Sequence, residues 1–154
     1  MTAPAAAVNY SYADDSLPSL RRPLRNDRRQ TLRARRVLIV DDDPQIQEML
    51  VELLRRGGFE PQSATTIALA ISEAERLRVD AVILDVNLAE VGSGIDLLAW
   101  FRGQPQYQST PMLILTGLRS LPEDEESLIR RHGAYMFYKP ESIPELVTYL
   151  KRLV

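Results

Sequence analysis

The sequence predicts an α/β protein whose parallel sheet is doubly wound, with helices on both faces. Three observations predict it. Short apolar runs without polar alternation, VLIV at 37–40, AVIL at 81–84 and MLIL at 112–115, read as strands buried on both sides. The stretches between them repeat apolar residues at helical spacing, as in Ile46, Met49, Leu50, Leu53 and Leu54. The two patterns alternate five times from residue 36 onward, which is how consecutive βα units read.

The first strand, Val37–Val40, runs into Asp41, Asp42 and Asp43. Pro44 suits the first position of a helix, Asp43 suits its cap, and Gly57 and Gly58 close it. A second strand is expected near Phe59–Ser63 and a second helix near Thr66–Arg78. The strand Ala81–Leu84 precedes a helix from Gly94 to Arg102, in which Trp100 and Phe101 serve packing. The strand Met112–Leu115 precedes a helix near Glu123–His132. Its acidic start complements the helix dipole, and His132 is expected to be a favourable cation at its other end. A fifth strand, Tyr135–Tyr138, leads to a helix over Ile143–Leu153, with Ser142 and Glu145 spaced as a capping box.

A chain of 154 residues, 45% hydrophobic, supports one domain with a real core. The absence of cysteine excludes disulfides, thiolate metal sites and a cysteine nucleophile, and a single histidine argues against histidine-rich metal sites and a serine-type triad. No apolar run approaches the roughly 20 residues that span a bilayer, and the N-terminus lacks signal-peptide order. A cytoplasmic setting is therefore expected. Charge divides the chain. Residues 1–36 carry eight arginines against three aspartates, a net of +5, whereas the other 118 residues carry 11 basic and 18 acidic side chains, a net of −7. Residues 1–35 read as a flexible arginine-rich tail, and residues 36–154 as the folded domain. The arginines are either a solubilising tail or a handle for an anionic partner, and nucleic acid is the less favoured reading because Tyr10 and Tyr12 stand apart from the basic block.

In open α/β sheets the reactive crevice lies beyond the C-terminal ends of the strands. Asp41, Asp42 and Asp43 stand there after strand one, Asp85 after strand three, Thr116 after strand four and Lys139 after strand five. Each alone is an ordinary cap, turn residue or surface cation; together they end four strands. Carboxylates brought that close repel one another, and a hard divalent cation such as Mg2+ relieves the repulsion while leaving room for phosphate oxygens. A carboxylate so placed can attack phosphorus to form an acyl phosphate, with a cation and a hydroxyl on the transferring group.

With these residues the chain resembles the receiver domain of two-component response regulators, over about residues 36–154. The resemblance implies a flavodoxin-like (βα)5 fold with strand order 2-1-3-4-5. It makes Asp85 the phosphoacceptor, Asp41 and Asp42 the acidic pair with Asp42 the more direct Mg2+ ligand, and Asn87 the residue whose backbone carbonyl binds the metal. It also makes Thr116 the switch hydroxyl and Lys139 the lysine preceding a cis proline, Pro140. Two positions depart from the family. Ala89 stands where a proline is usual, with one extra residue across Glu90–Ser93 before Gly94. Met136 stands where a switch tyrosine or phenylalanine is usual, with Phe137 and Tyr138 adjacent.

The function implied is a phosphorylation switch in a two-component system or phosphorelay, not an enzyme of turnover. A sensor histidine kinase or histidine phosphotransfer protein would supply the phosphoryl group. The resemblance runs to Val154, so a stand-alone receiver acting through a downstream protein contact is expected. One rival is a receiver-like binding module that signals without phosphate. Another is a haloacid-dehalogenase-like phosphatase, whose Asp-x-Asp-x-Thr/Val motif fails here at Gln45.

Overall fold

The structure, a computed structural model, describes residues 33–88, 94–118, 120–139 and 141–154. Five parallel strands form one sheet in the order β2-β1-β3-β4-β5: β1 Arg36–Val40, β2 Glu60–Ala64, β3 Ala81–Leu84, β4 Met112–Thr116 and β5 Tyr135–Tyr138. Helices α1 Pro44–Arg56, α2 Ile67–Arg76, α3 Gly94–Gly103, α4 Glu123–Arg131 and α5 Ile143–Leu153 alternate with them. The predicted order and winding are those observed.

Burial on both faces accounts for the unbroken apolar strands. Alternate residues feed two cores. Val37, Ile39, Ile83, Leu113, Leu115 and Phe137 pack beneath α1 and α5. Leu38, Val40, Val82, Leu84, Ile114 and Met136 pack beneath α2, α3 and α4. The order in which strands are added reverses between β1 and β3, whose C-terminal ends lie side by side through the parallel pairing Val40–Leu84. The residues following those two strands, Asp41 and Asp85, therefore emerge as neighbours.

The caps of α1 and α2 follow from local chemistry. Asp43 has extended backbone and its carboxylate accepts from the Gln45 N–H, with Pro44 pre-set for the first turn. Thr66 does the same for Leu69. After α1, Gly58 takes φ +85°, a conformation that favours glycine. At the sheet's other pole the Asp80 carboxylate accepts from the Arg36 N–H at 2.7 Å and from Arg33 at 3.1 and 3.2 Å, fixing where the chain enters β1.

Several expectations are corrected. The second strand starts one residue later, at Glu60, the second helix spans Ile67–Arg76, and a 3-10 turn at Pro105–Tyr107 precedes β4. Ser142 makes no capping bond. The chain enters α5 from a tight turn, with Ser142 N–H donating to the Tyr138 carbonyl and ψ at 0°, so the side chain points into the interior instead of back along the helix. His132 is not the expected cation either. Burial, then the charges of Arg102 and Arg131, lowers its pKa, and Arg130 and Arg131 supply the cations at that helix end. Among the described residues no helix is long and apolar enough to cross a membrane.

Candidate functional site

Three strand ends bring the acids and the lysine together. Carboxylate oxygens of Asp41, Asp42 and Asp85 all lie within 4.8 Å of one another. Lys139 Nζ reaches Asp41 Oδ2 at 2.7 Å and Asp85 Oδ2 at 3.0 Å. The geometry arises from the backbone. Asp85 N–H donates to the Val40 carbonyl and Lys139 N–H to the Thr116 carbonyl, so each strand pairing extends one residue past its end before the chain turns.

The two buried acids differ from the third. Asp41 is 2% exposed and Asp85 5%, whereas Asp42 is exposed and faces the solvent side of the cleft. Each buried carboxylate is aimed by a backbone N–H two residues on: Asp43 N–H to Asp41 Oδ1 at 2.8 Å, and Asn87 N–H to Asp85 Oδ1 at 2.9 Å. Burial raises the pKa of Asp41, and the Lys139 hydrogen bond and the Asp43 N–H only partly offset it. Burial alone would lower Lys139, but its hydrogen bonds to Asp41 and Asp85 outweigh that and leave it raised, so the ammonium is retained.

A cleft of about 400 Å³ opens over this cluster, lined by Asp42, Asp43, Asp85, Asn87, Leu88, Gly117, Leu118 and Lys139. Every predicted site residue except Asp41 and Thr116 thus faces it. Asp41 sits below the floor, holding Lys139. Thr116 is fully buried at the end of β4, and its hydroxyl accepts from Leu118 N–H at 3.1 Å, so it holds the loop that lines the cleft. All the donors are hard oxygens around a shared negative charge, a set that fits a hard divalent cation.

The strand register settles which aromatic neighbours Thr116. Tyr138 is its direct partner and Met136 pairs with Ile114, one pleat back on the same face. Both are buried. Phe137 points into the opposite core, with its ring 5.7 Å from that of Tyr149, and so cannot replace Met136. The altered loop Ala89–Ser93 and Pro140 lie outside the described residues.

Two supports were missed in the sequence. Gln47 donates from its side-chain amide to the carbonyls of Asp41 at 2.6 Å and Ala64 at 3.1 Å, tying the ends of β1 and β2 to the first turn of α1. Nothing in its spacing distinguishes it from an exposed helix residue. At Gly94, a Cβ would collide with the Asp85 carbonyl oxygen and Val86 Cα, so α3 starts directly against the loop that carries Asp85. The signal for Gly94 was a glycine opening a helix beside a strand end.

Known proteins match this chain in sequence and fold. The family described as response regulator receiver domain matches residues 37–151. The chain is similar to the probable transcriptional regulatory protein TcrX of Mycobacterium tuberculosis, 36% identical over 118 residues that cover 77% of this chain and 49% of that protein. The phosphate regulon transcriptional regulatory protein PhoB of Escherichia coli is 30% identical over 121 residues, 79% of this chain and 52% of that protein. The chain spans about half the length of the curated relatives it matches. Among solved structures, chemotaxis protein CheY4 of Vibrio cholerae superposes with a TM-score of 0.70 at 30% identity, over 79% of this chain and 100% of that one.

Proposed function

The chain belongs to the response regulator receiver domain family, and from that premise we propose that it is a phosphorylation switch in which Asp85 accepts a phosphoryl group from a phosphohistidine donor. The donor would be a sensor histidine kinase or a histidine phosphotransfer protein. The observation that carries this reading is the position of Asp85: buried to 5%, held by the Asn87 N–H and Lys139, and open to a cleft on one side. Chemically, an Asp85 oxygen forms a bond to phosphorus as the donor's P–N bond breaks, and the departing imidazole keeps the electron pair of that bond. Lys139 supports the charge on the transferred oxygens, and Thr116 offers its hydroxyl once it turns from its own loop.

Asp42, Asp85 and the Asn87 backbone carbonyl would hold Mg2+, with Asp41 keeping Lys139 in place. The ion would neutralise the acids and the incoming phosphoryl oxygens. We assign the folded domain to residues 36–154 and leave residues 1–35 outside it. The strand-one acids do not suit the phosphatase alternative, since Asp41 is committed to Lys139 and Asp43 to capping α1.

Asp42→Ala is expected to weaken Mg2+ binding more than Asp41→Ala, because only Asp42 faces the cleft directly. Titration of the free proteins with Mg2+, followed by intrinsic fluorescence or NMR shifts, tests this; equal losses would assign both acids to the metal.

Thr116 is also where phosphorylation would be read. Its movement draws the 117–122 loop and shifts a pre-existing two-state equilibrium. Met136 is unbranched and adapts to space in several rotamers, so it follows such movement less sharply than a ring. The 116–123 segment is therefore expected to respond strongly and α4 and β5 weakly, with Met136→Tyr strengthening the second response. Amide exchange with and without a phosphoryl mimic measures this. A full response in the native chain, unchanged by the new tyrosine, would assign the relay to Tyr138, the register partner of Thr116.

A further inference from the structure

In this fold the helices end at the pole where the strands begin, opposite the cleft. Every one of the five carries a basic residue in its last turn. The helix dipole accounts for one cation at each end. It does not account for the two basic ends of α1 and α5 lying side by side at one corner. A Cβ on Gly57 would lie 3.1 Å from Lys151 Cε, which sets the end of α5 against the end of α1. The Glu60 N–H donates to the Arg35 carbonyl at 2.8 Å, so the chain enters β1 past that same corner, with the Arg35 side chain exposed and 3.9 Å from Asp80. Arg55, Lys151 and Arg152 are exposed there and form no ion pair among the described residues. Arg56 is also exposed, paired only to Glu52 on its own helix. In the sequence, residues 21–36, of which 33–36 lead into β1 here, hold eight arginines and a single acid, Asp27.

We propose that this corner, formed by the ends of α1 and α5 and by Arg35, binds the phosphate backbone of a nucleic acid without reading its sequence. The partner is a polyanion, because the corner offers a cluster of exposed positive charge. It is composed mainly of arginine, whose planar fork matches phosphate oxygens. A membrane surface fits less well. The exposed large apolar residues among those described are Met49, Leu69 and Leu118, none at this corner, so it presents no fully exposed apolar side chain to enter a lipid layer. The site is independent of the cleft and stands whether or not Asp85 is phosphorylated.

The test is fluorescence anisotropy of the full chain with a labelled 20-base-pair DNA duplex and, separately, a single-stranded RNA of equal length, in 50 and 200 mM NaCl. Neutralising about three phosphates would weaken duplex binding roughly 40-fold between these salt concentrations. Arg55→Ala/Lys151→Ala/Arg152→Ala is expected to lower affinity at least fivefold and flatten the salt slope. The milder pair Arg55→Gln/Lys151→Gln should do so in part, and Asp85→Asn should leave the nucleic-acid affinity and its salt slope as they are. Duplex and RNA arms distinguish the two sources of phosphate, and binding to either that weakens in the corner variants supports the corner. Three results would overturn it: no binding to either at 50 mM NaCl, binding untouched in both corner variants, or binding only to phosphatidylserine vesicles.

Discussion

Asp85→Asn is expected to reduce labelling by a small phosphodonor to background while the protein melts at or near its native temperature. The asymmetry follows from the site. Asparagine keeps the size and the acceptor oxygen that takes the Asn87 N–H, but it lacks the anionic oxygen that would bond to phosphorus. The fold tolerates the change because Lys139 keeps its shorter contact, 2.7 Å to Asp41, when the 3.0 Å contact to residue 85 is weakened. Labelling with radioactive phosphodonor and thermal unfolding of the same preparation check both halves. Undiminished labelling would place the phosphoacceptor elsewhere.

Lys139→Met is expected to cost stability as well as labelling. It removes the one cation that bridges Asp41 and Asp85, both buried, and leaves like charges facing each other. Breaking a buried pair costs about 3 kcal/mol, the low end of the usual range because the cleft admits water. The pH dependence has a definite sign. Asp41 already has a raised pKa in the folded protein, so its contribution to stability is present below the ordinary carboxylate range and lost as pH rises through the raised value. Without Lys139 that loss deepens. Denaturant unfolding should therefore show a deficit for the variant that is large at pH 7 and shrinks as pH falls toward the carboxylate range. Added Mg2+ should recover part of it at pH 7, by returning positive charge to the acids. A deficit that is independent of both pH and Mg2+ would mean that Lys139 matters for packing alone.

The acids were legible in the sequence because a topological rule converts chain position into space. Whatever follows a buried parallel strand emerges at one pole, so Asp41, Asp85, Thr116 and Lys139 could be placed on the same end of the sheet before any distance was known. The family resemblance then separated the exposed Asp42 from the buried Asp41, a distinction composition cannot make. What stayed illegible depends on side-chain direction. Ser142 matches a capping box in spacing, yet the turn after Tyr138 rotates it into the core. His132 sits at a helix end like a favourable cation, but burial, and then the neighbouring Arg102, which donates to the His132 carbonyl, lower its pKa. Tyr138 and Met136 could be told apart only by register, since a one-residue difference in a strand exchanges the faces and a two-residue difference keeps them. The close packing of Gly94 and the bridge made by Gln47 involve contacts between elements distant in sequence, for which no local pattern exists.

The residue on which a phosphoryl group lands decides whether Asp85 is the phosphoacceptor. The full chain, incubated with a small acyl-phosphate donor and Mg2+, quenched and digested, is expected to yield one hydroxylamine-sensitive adduct by mass spectrometry, on the peptide containing Asp85, and none when the metal is chelated. An adduct on Asp41, Asp42 or His132 instead, or no adduct at all with the metal present, would contradict it.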